Sequence, residues 1–391
     1  MLDLSVVVPT HNRIDYLPAL LSSLAGQDYP PDRWELIIVD DGSSDGTRRF
    51  VECYSGPRPA NMRLLSQAQS GVAVARNNGA SVARGRAVLF LDDDMIASPR
   101  LVREHALVHA QDPCAVVIGH VSLPVEGRDP WVAWEDDKLH RHFQALRSGT
   151  RTPGPRDFYT GNCSVSTTLF RSIGGFDASL PRTEDVEIGY RCRNAGANFY
   201  YRADADSLHL GRHSFEGWLR NARLYGRCDV TLAWEKGHAE LQHKIFGWFL
   251  SRQALIRALV SACSGRPALE APTVRLLDRV GRGLHAVGVR KVSNACYSAI
   301  YNLVYWLALI EALGKERFWA GVQATKVDRA RSGGHPPGYG VASSPPASPR
   351  ILTPASEPMR PATHAHEHTA MPMRPPPPAP PTSPITEGQR P

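Results

Sequence analysis

Four short runs constrain this chain most: Leu4-Ser5-Val6-Val7-Val8, Leu36-Ile37-Ile38-Val39, Ala87-Val88-Leu89-Phe90-Leu91 and Ala115-Val116-Val117-Ile118. Each is apolar, mostly β-branched and bounded by Pro, Asp or Gly, the pattern of strands buried on both faces. Helical stretches near 14–25, 46–54, 71–83 and 99–110 separate them. Strands alternating with helices predict βαβ units and a mostly parallel α/β sheet. Ligands of such sheets bind beyond the carboxyl ends of the strands, so the residues just after each run carry the functional signal.

Those residues are polar and acidic. The first run ends in Pro9-Thr10-His11-Asn12-Arg13, the second in Asp40-Asp41-Gly42-Ser43-Ser44-Asp45, and the third in Asp92-Asp93-Asp94. Adjacent carboxylates raise one another's pKa unless a cation sits among them, and hard divalent ions bridge such oxygens to phosphates. The triple Asp therefore reads either as a metal site for a nucleotide diphosphate or as a solvated, helix-capping loop. Asp41 to Glu52 also fits the spacing of an EF-hand loop. The strand-like run before it and Arg48 at an aliphatic position exclude that reading. A strand–loop–helix turn remains, with Asp41 accepting hydrogen bonds from a base or ribose and Asp45 capping the next helix.

Farther along, the pattern predicts helices near 131–147, 185–195 and 214–235 and strands near 162–166 and 198–202. Residues 245–260 read as one imperfect amphipathic helix that Arg252 interrupts on its apolar side. Residues 295–310 are apolar and rich in Tyr and Trp, with Asn302 in their midst. Packing against the main domain, an interfacial helix and a membrane span all fit that stretch, in that order of preference.

Charge sharpens the division. The net charge is +7, yet residues 1–244 carry 28 Lys and Arg against 30 Asp and Glu, while residues 245–331 carry 13 against 5. A nucleic-acid-binding main domain is excluded on that distribution. The basic excess suggests instead contact between 245–331 and a membrane surface. Seventeen of the 32 prolines fall in residues 332–391, where Tyr339 is the only aromatic, a composition that predicts a disordered tail. His364, His366 and His368 in that tail read as solvated sequence. The 7 cysteines form no C-x-x-C pair, which argues against a disulfide framework or zinc site and suits a reducing compartment. Met1-Leu2-Asp3-Leu4 has no basic region before its apolar run, so no signal peptide is expected there.

Four stretches occur in order: Val6 to Arg13, Val39 to Thr47, Ala75-Arg76-Asn77-Asn78-Gly79 and Leu91 to Asp94. Together they resemble the family 2 glycosyltransferases, inverting enzymes with a GT-A fold, over roughly residues 3–240. The resemblance implies a GT-A domain at 1–240, with a nucleotide-binding half at 1–120 and an acceptor-side half at 121–240. The basic helical segment at 241–331 and the Pro-rich tail at 332–391 follow it.

By that resemblance Pro9, Thr10, Asn12 and Arg13 line the nucleotide pocket and Asp41 contacts the base, usually uracil. Asp92-Asp93-Asp94 matches the D-x-D element, with Asp94 as metal ligand and Asp92 or Asp93 near the ribose. Arg76 either steadies the acids or pyrophosphate or is a structural arginine. Thr160-Gly161-Asn162-Cys163-Ser164 matches the acceptor-side strand, so Gly161 and Asn162 are acceptor-side candidates. Trp134, with Trp131 nearby, offers a ring for a sugar. Thr183-Glu184-Asp185 matches the E-D element, whose Asp is usually the general base; Asp185 takes that role and Glu184 orients it. Both would also cap the following helix. His209 occupies a position where GT-A enzymes place a metal-binding His. His213 lies four residues on, but Gly211 argues against a helical zinc pair.

The expectation is an inverting transfer of a sugar from a nucleotide-diphosphate donor, UDP-linked by preference, with Mg²⁺ or Mn²⁺. The acceptor would be a hydroxyl of a glycan, glycolipid or lipid-linked saccharide. The expected compartment is the cytoplasm, with peripheral contact at the inner face of the cell membrane. A catalytically inactive sugar-nucleotide binder or scaffold is the alternative from another class. A nucleotidyltransferase is a weaker one, because the loop after the first run has no glycine.

Overall fold

The fully apolar runs become the middle of one eight-stranded sheet in the computed structural model, which describes residues 2–124, 129–211 and 214–331. The strands are β1 (Leu2–Thr10), β2 (Trp34–Asp41), β3 (Met62–Gln67), β4 (Gly85–Leu91), β5 (Met95–Ala97), β6 (Ala115–Ser122), β7 (Asn162–Ser166) and β8 (Asn198–His209). Their order is β3-β2-β1-β4-β7-β6-β8-β5. The β3-β2-β1-β4 half is parallel throughout, as the βαβ pattern demands. β7 then runs antiparallel to both β4 and β6, β8 parallel to β6, and β5 antiparallel to β8, so the sheet as a whole is mixed.

Side chains alternate across β1, β2 and β4, which gives the sheet two apolar faces. Val7, Ile37, Val39, Val88 and Phe90 join one core cluster. Leu4, Val6, Val8, Leu36, Ile38, Leu89 and Leu91 join another. The helices α1 (Leu17–Ala25), α2 (Thr47–Cys53), α3 (Val72–Ser81) and α4 (Leu101–Gln111) link the strands. Further on come α5 (Pro130–Arg147), α6 (Thr167–Ser172), α7 (Glu184–Asn194) and α8 (Phe215–Val230). Ser214 starts α8 by accepting a hydrogen bond from the Gly217 amide at 3.1 Å.

A helical layer completes the described chain: α9 (Ala239–Leu250), α10 (Ala254–Cys263), α11 (Pro267–Ala286), α12 (Arg290–Leu313) and α13 (Lys315–Arg331). The single helix expected over 245–260 is instead α9 and α10, broken at Ser251-Arg252-Gln253. The break places Arg252 in solvent, where one continuous helix would have set its charge on the apolar side. α12 is long and apolar enough to cross a membrane by length and composition, but two-thirds of its apolar window is buried. Tyr297, Ile300, Leu303, Val304 and Leu309 are wholly inside a core shared with Trp131, Trp134 and Trp218. Asn302 is tolerated there because its Nδ2 donates to the Ser298 carbonyl at 2.8 Å.

The layer is keyed to the sheet domain at a half-buried ion pair. Arg156 donates to both oxygens of Asp229 at 3.0 and 3.3 Å, and the Tyr305 hydroxyl of α12 donates to the same carboxylate. Residues 332–391, including His364, His366 and His368, and His213 lie outside the described residues.

Candidate functional site

The carboxyl ends of β1, β2 and β4 open into a cleft of about 630 Å³. Pro9, Thr10, Arg13 and Asp41 line one part of it, Asp92, Asp93, Asp94, Gly161 and His209 its floor, and Arg76, Glu184 and Asp185 the facing wall. The position follows from topology: in a parallel half-sheet all these loops emerge on one edge.

Loop geometry fixes each acid. Asp41 accepts from Gln67 Nε2 at 2.8 Å and from the Ser70 and Gly71 amides at 2.7 and 2.8 Å, so it pins the entrance to α3. Asp45 accepts from the Thr47 amide at 2.9 Å at the start of α2. The strand before this loop is β2, so the helix–loop–helix frame of an EF-hand is absent. Asn12 takes the left-handed region, φ 53°, and its Oδ1 accepts from the Ser44 amide at 2.7 Å, tying the β1 loop to the β2 loop. It braces the two loops and is not among the residues that line the cleft.

Asp94 and His209 meet because β5 and β8 pair Met95 with His209. His209 Nε2 lies 3.2 Å from Asp94 Oδ1, and Arg13 Nη1 donates to Asp94 Oδ2 at 3.1 Å. Burial alone would raise the Asp94 carboxyl, but His209 and Arg13 outweigh it and hold it below the usual range. Burial likewise lowers His209, and the hydrogen bond and charge of Asp94 reverse that, leaving the imidazole raised. Asp93 differs: burial, with the charges of Asp94 and Asp92 added, pushes it up to about 7 despite Thr10 and Arg13.

Gly211 closes this corner. A Cβ there would stand 2.5 Å from Asp94 Oδ2 and 2.7 Å from His209 Nε2, so only glycine leaves room beside the pair. The donors fit a hard divalent ion that draws its remaining ligands from phosphates and water. Among the described residues no cluster of three or more His, Cys, Asp or Glu is placed to hold a metal alone. Asp94 and His209 are the two that converge.

Arg76 joins the floor to the facing wall. It is 4% exposed, and it donates to Asp92 Oδ1 and Glu184 Oε1 at 2.8 Å each. Burial opposes its charge, but Asp92 and Glu184 more than restore it. Thr183, just before the acid pair, sits at φ 65°, a strained conformation for a β-branched residue. It turns the chain so that α7 begins with Glu184 and Asp185 at its positive end. Asp185 Oδ1 accepts from the Val186 amide at 2.7 Å. Burial first, and the Glu184 charge second, raise its pKa to about 7, against the pull of Arg76 and Arg182.

Two acceptor-side candidates lie elsewhere. Trp134 is 5% exposed and packs edge-on to Trp218 and against Tyr301, in the core beneath the helical layer. The sequence shows the ring but not the helix that covers it. Asn162 is fully buried; its Nδ2 donates to the carbonyls of His120 and Ala205 and to Ser207 Oγ, which stitches β7 to β6 and β8. Gly161 does line the cleft, and a Cβ there would strike Met95 at 2.6 Å.

Sequence reasoning misses the far wall. Leu139, Phe143, Tyr159, Arg182 and Tyr225 line it. Arg182 Cζ stands 5.6 Å from the Tyr225 ring centroid. Arg182 is legible as a base next to Glu184-Asp185, but nothing in sequence ties Tyr225, on α8, to it.

The sheet, its switch from parallel to mixed and the acids at its edge define a GT-A fold. Residues 5–174 match the family described as Glycosyl transferase family 2. Validoxylamine A glucosyltransferase of Streptomyces hygroscopicus subsp. limoneus is 33% identical over 222 residues, covering 49% of this chain and 48% of its own. Pre-mycofactocin glycosyltransferase of Mycobacterium tuberculosis is 27% identical over 339 residues, covering 81% and 68%. A Pyrobaculum calidifontis mannosyltransferase, solved with GDP-Man and Mn²⁺, shares the fold with a TM-score of 0.54 at 20% identity, covering 80% and 87%. The chain spans about half the length of the first two curated relatives it matches.

Proposed function

We propose that this chain is an inverting glycosyltransferase that moves a sugar from a nucleotide-diphosphate donor, UDP-linked by preference, to an acceptor hydroxyl. The observation that carries this reading is Arg76, one buried guanidinium that holds Asp92 of the cleft floor and Glu184 of the facing wall. It sets two kinds of acid across one cleft: a cluster suited to a diphosphate and a carboxylate suited to a proton.

On this reading the donor's nucleotide lies along Pro9, Thr10 and Asp41, with its diphosphate toward Arg13 and Asp94. The acceptor oxygen attacks the anomeric carbon as the bond to the diphosphate oxygen breaks, and that electron pair leaves with the nucleotide. Asp185 takes the acceptor's proton. A base raised toward neutrality suits that task, since the best proton acceptor has a pKa near the working pH. Glu184, held by Arg76, supplies part of the charge that raises it. Asp94 and His209 would hold Mg²⁺ or Mn²⁺, which stabilises the negative charge growing on the leaving diphosphate. Arg13 lies beside Asp94 to add its own charge there.

The rings of Tyr159 and Tyr225 on the far wall suit the faces of a saccharide, with Arg182 for its hydroxyls. The acceptor class we favour is a glycan, glycolipid or lipid-linked saccharide. The test is release of free nucleotide from UDP-, GDP- and dTDP-sugars with Mn²⁺, alongside a thermal-shift panel of the same donors. UDP-sugars should release UDP and raise the melting temperature of the wild type. If they stabilise the protein but release nothing with any acceptor tried, the chain is a binder and the catalytic reading fails.

A further inference from the structure

Among the described residues, eleven large apolar side chains are exposed, and seven lie between Leu255 and Val292. The four most exposed of all, Val287 at 72%, Leu255 at 65%, Leu276 at 63% and Val292 at 50%, belong to that group. Such a concentration is not the scatter of single apolar residues a soluble surface carries.

α11 shows how it is built. One side is seated on α12: Val274 and Gly281 are buried, a Cβ at Gly281 would press the Tyr297 ring at 2.8 Å, and Ser293 Oγ donates to the Gly281 carbonyl at 2.9 Å. On the outward side Leu269, Leu276, Val280 and Val287 follow at intervals of seven, four and seven. At 100° per residue they fall within about 40° of one another, a single stripe down a helix about 30 Å long. Arg279 and Arg275, both exposed, flank the stripe on one margin, about 80° and 120° round the helix from its middle. Val289, Arg290, Lys291 and Val292 continue the mixture of exposed apolar and basic residues into α12. The third arginine of that margin, Arg282, is tied to Asp278 at 2.9 Å.

We propose that the outward stripe of α11, with Val289 and Val292, docks on an anionic membrane surface, the apolar side chains entering the headgroup boundary and Arg275, Arg279, Arg290 and Lys291 meeting lipid phosphates. The charge pattern selects this occupant. A second copy of the chain would bring the same basic margin against itself, and like charges so placed oppose a self-complementary contact. Nucleic acid would meet the arginines but leave the stripe in water. A lipid surface satisfies both halves, and short exposed apolar stripes with a basic margin are how interfacial helices bind. This inference stands apart from the proposed transfer chemistry.

The experiment is co-sedimentation of the full chain with vesicles of phosphatidylcholine alone or equimolar with phosphatidylglycerol. The wild type should sediment with the anionic vesicles, far less with the neutral ones, and less as salt rises. Leu276→Asp with Val280→Asp should lower the bound fraction about tenfold or more, and Arg275→Gln with Arg279→Gln about tenfold at low salt. Circular dichroism melts should stay unchanged; if the apolar double variant unfolds, the arginine pair decides. The proposal is overturned if wild type ignores anionic vesicles or if both double variants bind as wild type does. A wild-type dimer that Leu276→Asp with Val280→Asp turns into monomers, without vesicle binding, would assign the stripe to a second copy instead.

Discussion

The parallel half of the sheet and the helical layer bury their apolar residues by different rules. In β1, β2 and β4 nearly every residue is inside, and the neighbours that cover it come from adjacent βαβ units. In α12 the inside residues recur every three or four places and meet partners from α5, α8 and α11. The first arrangement leaves only strand ends free for chemistry, so the acids collect there. The second leaves a whole outward helix side free, and α11 carries its exposed stripe there. One region thus offers a site at an edge, the other a surface.

The comparison breaks most sharply at Arg76, which belongs to the first region but holds the start of α7 in place. Arg76→Met leaves the Asp92 and Glu184 carboxylates without their counter-charge, one of them nearly buried. It should cost about 3 kcal/mol in urea unfolding and abolish turnover, and Arg76→Lys should not restore the two-sided bridge. Retained turnover would show that the floor and the facing wall align without it.

Smaller but more specific is the Asp94–His209 corner. Asp94→Ala or His209→Ala should lower nucleotide release about a hundredfold and remove the extra thermal stabilisation that Mn²⁺ gives in the presence of UDP. Gly211→Ala should reproduce part of that loss by crowding the pair. Equal responses to UDP with and without Mn²⁺ in the wild type would put the metal reading aside.

A pH series sharpens the same contrast. Asp93 and Asp185 are raised in the folded state, so between the usual carboxylate range and about 7 the native protein binds more protons than the unfolded one. Their contribution to stability is therefore full at low pH and is lost as pH rises through the folded pKa. Metal-free protein should lose a few degrees of melting temperature from this source between about pH 5 and pH 8, and turnover measured with Mn²⁺ should rise over the same interval. The helical layer is probed through a hydrogen bond instead. There Tyr305→Phe, which removes one hydrogen bond to Asp229, should cost about 1 kcal/mol and leave nucleotide release within twofold.

What the sequence makes legible follows the same division. Val6-Val7-Val8 and Leu36 to Val39 are unambiguous because strands buried on both faces need continuous apolar runs, and the acids after them stand out against that background. β3 escapes that reading, since Met62-Arg63-Leu64-Leu65-Ser66-Gln67 is a half-exposed strand with no such run. The pattern ends β8 at Arg202, whereas the strand continues to His209 after a register shift opposite Gly119 and His120. That extension is what brings His209 to Asp94. Trp134 and Asn162 mislead because residue type alone does not say which helix or strand will cover a side chain. Tyr225 is invisible in sequence because its relation to Arg182 exists only in three dimensions.

Asp185 is the proposed base of a cleft whose donor side does not depend on it. Titration of UDP into wild type and Asp185→Asn with Mn²⁺, followed by nucleotide release from a UDP-sugar in the same buffer, tests it most directly. We predict equal UDP affinity and a rate lowered by about a thousandfold in the variant. Wild-type rates in Asp185→Asn would contradict the account.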